Sequence, residues 1–230
     1  MSETVMTHII ARIRTDFPTK FGIPRQSGLA DVPARIVFEP EYRNADALRG
    51  IEEYSHLWLI WQFSGAIRQD WSPTVRPPRL GGNRRMGVFA TRSPFRPNPI
   101  GLTCVKLERI ELTENGPIIH VLGADLRDGT PIFDIKPYIP FADCHPDAQG
   151  GFIDETPWQE LTVHCPAKLL QAIPEEKREG LLEVLGQDPR RAGSKHEPKR
   201  TYHLAYAGFD IAFTVDNTNL YVQRIEPAIA

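Results

Sequence analysis

Between Trp71 and Leu107 the chain carries six prolines, six arginines and one lysine, with no aspartate or glutamate. Proline locks φ and donates no backbone hydrogen bond. Pro73, Pro77, Pro78, Pro94, Pro97 and Pro99 therefore exclude a long helix or a central strand here. The span reads as stiffened loop held by an ordered scaffold. Arg76, Arg79, Arg84, Arg85, Arg92, Arg96 and Lys106 give it a local charge of +7, in a 230-residue chain whose net charge is −2. Guanidinium forks bind phosphate in pairs and stack on bases. Prolines lower the entropy such a loop loses on binding. Two readings follow: an anionic ligand, or pairing with acids distant in sequence.

The rest of the chain supplies short strands. His8–Ile13, Ala34–Phe38, Gly87–Thr91, Leu102–Ile110, Pro117–Leu122 and Ile132–Ile135 read as strands, with the apolar run Ser55–Phe63 as a buried one. Asn44–Glu52 reads as a short helix or turn. Many short strands between turn signals predict a mainly β fold with a closed or nearly closed antiparallel-rich sheet. Composition shifts near residue 142, where "ADCHPDAQGG" reads as a linker. Beyond it, Glu160–Cys165, a helix over Glu175–Leu185 and the strands Tyr202–Tyr206, Phe209–Val215 and Leu220–Ile225 make a smaller α+β unit. The expected division is 1–145 and 146–230. Apolar content of 41% and charged content of 24% are ordinary for a soluble globular protein. No apolar run approaches a membrane span, and the N-terminus lacks a signal-peptide pattern. Cys104, Cys144 and Cys165 are sparse and odd in number, which fits a reducing compartment. Cytoplasm is the expected location, and the scattered histidines predict no metal site.

Several clusters carry possible chemistry. Pro24-Arg25-Gln26-Ser27-Gly28 is a stiff turn with a fork donor and an amide. Gly81-Gly82-Asn83 is a turn by itself. Asp128-Gly129-Thr130-Pro131 is a turn signature ahead of the strand that holds Asp134 and Lys136 on one face. Asp125, Asp128 and Asp134 are either solvated or able to orient hydroxyls and take a proton. Arg190, Arg191, Lys195, Lys199 and Arg200 make a second basic segment, either solvated or in contact with a nucleic-acid backbone. No glycine fingerprint, Walker loop, zinc-protease motif or nucleophile elbow is present, so a Rossmann nucleotide site is not expected.

"PRQSG", "ADALRGIEEYSHLWLI", "PTVRPPRLGGNRRMGVFATRSPFRPNPIGL", "DLRDGTPIFDIKPYIPFAD" and "QDPRRAG" together resemble the tRNA methyltransferase O family, in its longer bacterial form. The similarity runs from about Thr7 to Pro227. It implies a single-sheeted, antiparallel-rich, non-Rossmann β-barrel that binds S-adenosylmethionine and works as a homodimer with the cofactor near the subunit interface. It implies methylation of N6 of N6-threonylcarbamoyladenosine beside the anticodon of threonine-accepting tRNA. A non-catalytic regulatory protein that binds S-adenosylmethionine or RNA is the alternative.

Position by position, the resemblance implies cofactor contacts at Pro24, Arg25, Gln26, Ser64, Gly65, Arg92 and Leu102. It also implies them along Asp125, Leu126, Arg127, Asp128, Gly129, Thr130 and Pro131. The family pattern has His-Gln where this chain has Ser64-Gly65, so side-chain contacts there are lost and main-chain contacts survive. The urea-type nitrogen of the substrate must shed a proton. Asp128 or Asp134 is the expected base, with Lys136 and Tyr138 as orienters. Arg92 or Arg96 is expected to clamp the threonyl carboxylate. Arg76, Arg79, Arg84, Arg85, Asn98, Arg190, Lys199 and Arg200 are expected on the RNA, with Trp71 or Phe95 stacking on a base.

Overall fold

The computed structural model describes residues 3–77, 84–155, 159–190, 197 and 199–228. Arg79, Gly81-Gly82-Asn83, Arg191 and Lys195 lie outside the described residues. In chain order the first part holds β1 (Ala11–Arg14), β2 (Pro33–Phe38), β3 (His56–Gln62), β4 (Thr74–Val75), β5 (Met86–Gly87), β6 (Ile100–Thr113), β7 (Gly116–Leu122), β8 (Pro131–Pro137) and the short helix α1 (Pro140–Asp143). Strands β1-β2-β7-β6-β3-β8 close into a barrel in that order, every neighbouring pair antiparallel.

Alternation sets the inside of the barrel. Ala34, Ile36 and Phe38 of β2 and Leu57, Leu59 and Trp61 of β3 point into one core with Ile13, Val105, Ile119 and Ile132. The Ser55–Phe63 run is thus buried on one face, while Trp58 and Ile60 are half-buried on the other. Bulges between Ile60 and Trp61 and between Leu107 and Arg109 bend the sheet toward closure.

One local expectation is corrected. Gly87–Thr91 is no strand. Only Met86 and Gly87 pair, because the partner β4 is cut off by Pro73 and Pro77. Val88–Ala90 instead turns as a 3-10 helix, with Val88 buried and Thr91 donating back to its carbonyl. Asn44–Glu52 is two 3-10 turns, split by Gly50 at φ 84°.

The second part holds β9 (Thr162–His164), α2 (Ala167–Leu170), α3 (Glu175–Gly186), β10 (Tyr202–Tyr206), β11 (Phe209–Asp216) and β12 (Asn219–Pro227). The sheet order is β10-β11-β12-β9, with β9 parallel to β12. Its core takes Leu181, Val184 and Leu185 from α3, but also Phe17, Ala30 and Val32 from the segment between β1 and β2. Lys177 of α3 binds Asp16 at 2.5 Å and Glu183 accepts from the Asp31 N–H at 2.6 Å. The first-part segment that carries Pro24-Arg25-Gln26 is therefore clamped between the two cores.

Candidate active site

Antiparallel pairing brings the end of β3, the start of β6 and the β7–β8 connection to the same mouth of the barrel. Past β3, Phe63 donates its N–H to the Pro99 carbonyl at 2.9 Å, and the chain turns tightly through Ser64-Gly65-Ala66. The β7–β8 loop is pinned to β1. The N–H groups of Asp128 and Gly129 reach the carbonyls of Phe17 and Ile13, both at 2.9 Å, and Gly129 takes φ 74°. Thr15 completes the clamp, donating its N–H to Asp128 Oδ1 at 3.1 Å and its hydroxyl to the Leu126 carbonyl at 3.0 Å.

Between these segments lies a cavity of about 260 Å³. Trp61, Phe63, Ser64 and Gly65 form one wall; Asp125, Leu126, Arg127 and Thr130 form another; Lys20, Ile23 and Pro94 also line it. A broader depression of about 500 Å³ near Arg43 and the β6–β7 turn is open surface, far along the hairpin from these loops.

Asp125 is the carboxylate of the cavity wall. Thr103 Oγ1 donates to its Oδ1 at 2.7 Å, and Thr103 in turn accepts from the Trp61 indole N–H at 2.9 Å. Gly101 makes room for that indole, since a Cβ there would stand 2.3 Å from the ring. Burial lifts the Asp125 carboxyl above the usual carboxylate range. The Thr103 hydrogen bond, a backbone hydrogen bond and the Arg92 guanidinium oppose the rise. Such a group neutralises a cation or accepts a proton. Lys20 and Arg127 bring the opposite sign to the same cavity.

The model of the tRNA-methyltransferase O N-terminal domain matches residues 12–144, and that of the TrmO C-terminal domain matches residues 159–228. The chain belongs to the tRNA-methyltransferase O family. It is 42% identical over 226 residues to the tRNA (adenine(37)-N6)-methyltransferase of Escherichia coli, covering 95% of this chain and 96% of that one. An Eikenella corrodens protein of the same name is 44% identical over 172 residues, covering 75% of this chain and 97% of its own. A crystal structure of TrmO superposes with a TM-score of 0.79 at 32% identity, over 97% of this chain and 99% of that chain.

Only some of the residues expected at the cofactor line the cavity; Asp128 and Gly129 are not among its lining residues. Ser64, Gly65, Asp125, Leu126, Arg127 and Thr130 line the cavity. Pro24, Arg25, Gln26 and Arg92 stand beside it, tied together: Arg92 binds the Gln26 side-chain oxygen, and Gln26 Nε2 donates to the Arg25 carbonyl at 2.6 Å. Arg25 reaches across to the carbonyl of Arg190 at 2.8 Å. Pro131 is buried at the start of β8, and Leu102 faces outward on β6, 54% exposed.

The residues expected at catalysis do not converge. Asp128 holds Thr15 and lies 3.5 Å from Arg14. Asp134 and Lys136 pair with each other at 2.9 Å on the outer face of β8. Tyr138 packs its ring against Trp58 at 5.8 Å. Among the residues expected at RNA, Arg190 is bound bidentately by Asp188 at 2.8 and 2.9 Å, with its side chain 13% exposed. That pairing lifts the guanidinium above its ordinary value. Arg96 donates to the Thr91 carbonyl at 3.2 Å, Arg85 to Thr74 Oγ1 at 3.2 Å, and Arg84 lies 3.6 Å from Glu155. Arg76, Asn98, Lys199 and Arg200 are exposed, with Arg200 3.5 Å from Glu197. Trp71 and Phe89 stack at 6.1 Å and are both exposed, while Phe95 lies under Arg68.

Sequence reasoning missed Thr103, Lys20 and Phe89. Thr103 had a readable signal, a polar residue in phase with the inward positions of β6. Lys20 and Phe89 had none, because each depends on where a loop returns.

Proposed function

We propose that this chain methylates N6 of N6-threonylcarbamoyladenosine at position 37, beside the anticodon of threonine-accepting tRNA, with S-adenosylmethionine as donor. The observation that carries the reading is a TrmO barrel whose mouth holds a cavity with a hydrogen-bonded, half-buried carboxylate at Asp125. The Escherichia coli relative's name supplies the tRNA position, and a Pseudomonas aeruginosa relative, 41% identical over 217 residues, has S-adenosylmethionine-dependent methyltransferase in its name. The threonylcarbamoyl group comes from the family resemblance.

The cavity residues fit the donor. S-adenosylmethionine supplies an electrophilic methyl on a sulfonium, and carries an α-amino acid and an adenine ring. Asp125 offers the counter-charge for a cation, and Trp61, Phe63, Ile23 and Pro94 offer apolar surface. Gly65 has no side chain, and its carbonyl accepts from the Lys20 ammonium at the cavity wall. The Trp61–Thr103–Asp125 chain of hydrogen bonds fixes the carboxylate's direction before any ligand arrives. Arg92, exposed beside Gln26, stands where it can meet an anionic substituent of the base. The exposed Trp71–Phe89 pair offers a ring face to an unstacked base, and Arg76, Lys199 and Arg200 offer charge to phosphates. Work as a cytoplasmic homodimer completes the proposal; a second copy would cover the outward Ile100 and Leu102.

The test is transfer of labelled methyl from S-adenosylmethionine to threonine tRNA with and without the carbamoyl-threonyl group. Transfer to the modified tRNA alone is expected. Equal transfer to both overturns the substrate. Tight donor binding with no S-adenosylhomocysteine formed overturns the enzyme.

A further inference from the structure

We propose that Lys20 and Arg127, converging over Gly65, form a carboxylate-binding corner of the cavity. The proposal rests on the methyltransferase reading and adds a ligand group to the site. The Lys20 ammonium donates to the Gly65 carbonyl. An ideal Cβ placed on Gly65 would lie 3.2 Å from Lys20 Nζ and 3.6 Å from Arg127 Nη1, so both cationic heads hang over one point of the backbone. Among the described residues, neither head forms an ion pair with a carboxylate. Two positive charges brought this close repel each other unless an anion lies between them. One carbonyl uses a single N–H of Lys20 and leaves two donors, while the guanidinium presents a planar fork. A planar carboxylate satisfies both, one oxygen to each head.

Gly65 is part of the device. A side chain there would meet Lys20 Cε at 2.9 Å and push the ammonium away. Asp125, the acid of the same wall, is held by Thr103 and lends the cavity its negative pole. A cavity with one negative and one doubly positive corner matches a zwitterion. The matching carboxylate belongs either to the amino-acid end of the donor or to the threonyl group of the modified base.

The experiment compares wild type with Lys20→Gln and Gly65→Ala. Binding of S-adenosylmethionine and of 5′-methylthioadenosine, which lacks the amino-acid end, is measured by calorimetry. KM for the modified tRNA is measured at saturating donor. Unchanged melting temperatures confirm that both variants fold. If the donor's carboxylate occupies the corner, both variants bind S-adenosylmethionine about tenfold more weakly and methylthioadenosine as before. If the substrate's carboxylate occupies it, donor affinity holds and KM for tRNA rises about tenfold with kcat preserved. If neither quantity moves, the corner binds no carboxylate and the proposal falls. A wild-type protein that binds no donor and methylates no tRNA would instead bring down the methyltransferase reading beneath it.

Discussion

Replacing Asp125 with asparagine isolates charge from shape. Asparagine keeps an oxygen to accept from Thr103 Oγ1, now at 2.7 Å, so the Trp61–Thr103 chain has no reason to move. What disappears is the negative pole of the cavity. A unit charge pair about 5 Å apart, at an effective dielectric near 20, is worth about 3 kcal/mol. The cavity opens to water, which leaves about 1.5–2 kcal/mol, or a ten- to thirtyfold loss of affinity for a cationic ligand. Calorimetric titration with S-adenosylmethionine and with uncharged-sulfur S-adenosylhomocysteine reads the effect. A carboxylate facing the sulfonium makes the first ligand suffer more; one facing the ammonium makes both suffer alike. The pH dependence supplies an independent check. Burial raises this carboxyl, so wild-type affinity fades as pH falls through a value above the ordinary carboxylate range, and the asparagine variant stays flat. Stability runs the other way. A folded-state pKa above the unfolded one means that stability is lost as pH rises between the two, so above that window Asp125→Asn melts no lower than wild type. Donor affinity within twofold of wild type at pH 8, with only kcat reduced, would refute the counter-charge argument and make Asp125 a proton acceptor instead.

Thr103→Val leaves the Trp61 N–H and the Asp125 carboxylate without their shared partner, which lowers stability by about 1–3 kcal/mol in denaturant melts and moves the donor-binding pH midpoint upward. Gly101→Ala drives a methyl into the Trp61 indole, 2.3 Å from an ideal Cβ, and costs about 1–3 kcal/mol by the same measurement. Trp71→Ala weakens binding of the anticodon arm by about 1–3 kcal/mol in filter-binding assays and leaves donor titrations unchanged, because the ring is stacked on Phe89 and lies outside the cavity wall.

What could be read from the chain divides by the range of the forces involved. Ala34–Phe38 and the apolar run Ser55–Phe63 could be read as strands from composition and length, which are local, and the structure shows that each buries one face. The order in which those strands close is not local: β1 meets β8 across more than a hundred residues, and only the resemblance supplied the barrel. The same limit governs the site. Ser64, Gly65 and the Asp125–Thr130 loop come together at a strand mouth, while Asp128 accepts from Thr15 and lies beside Arg14, contacts that spacing along the loop cannot show. Asp134 and Lys136 share a face, and that face meets solvent, where the pair neutralises itself. Gly87–Thr91 has the composition of a strand and lacks a long enough partner, a property of β4 rather than of the segment itself.

The acid-free, arginine-rich stretch ends up serving both readings at once. Arg96 spends its fork on loop carbonyls, Arg85 on Thr74 and Arg84 on Glu155, so these guanidiniums hold proline-stiffened turns whose backbone cannot hold itself. Arg92 is tied to Gln26 through a side-chain oxygen and stays exposed, and Arg76 and Lys106 are exposed as well. The paired arginines build the platform and the exposed charges are what it presents. Substitution at the first group should therefore act through loop geometry, on every ligand together, and substitution at the second should act on anions alone. That separation follows from which oxygen each guanidinium already holds: carbonyl, hydroxyl and carboxylate for the builders, and the Gln26 amide for Arg92.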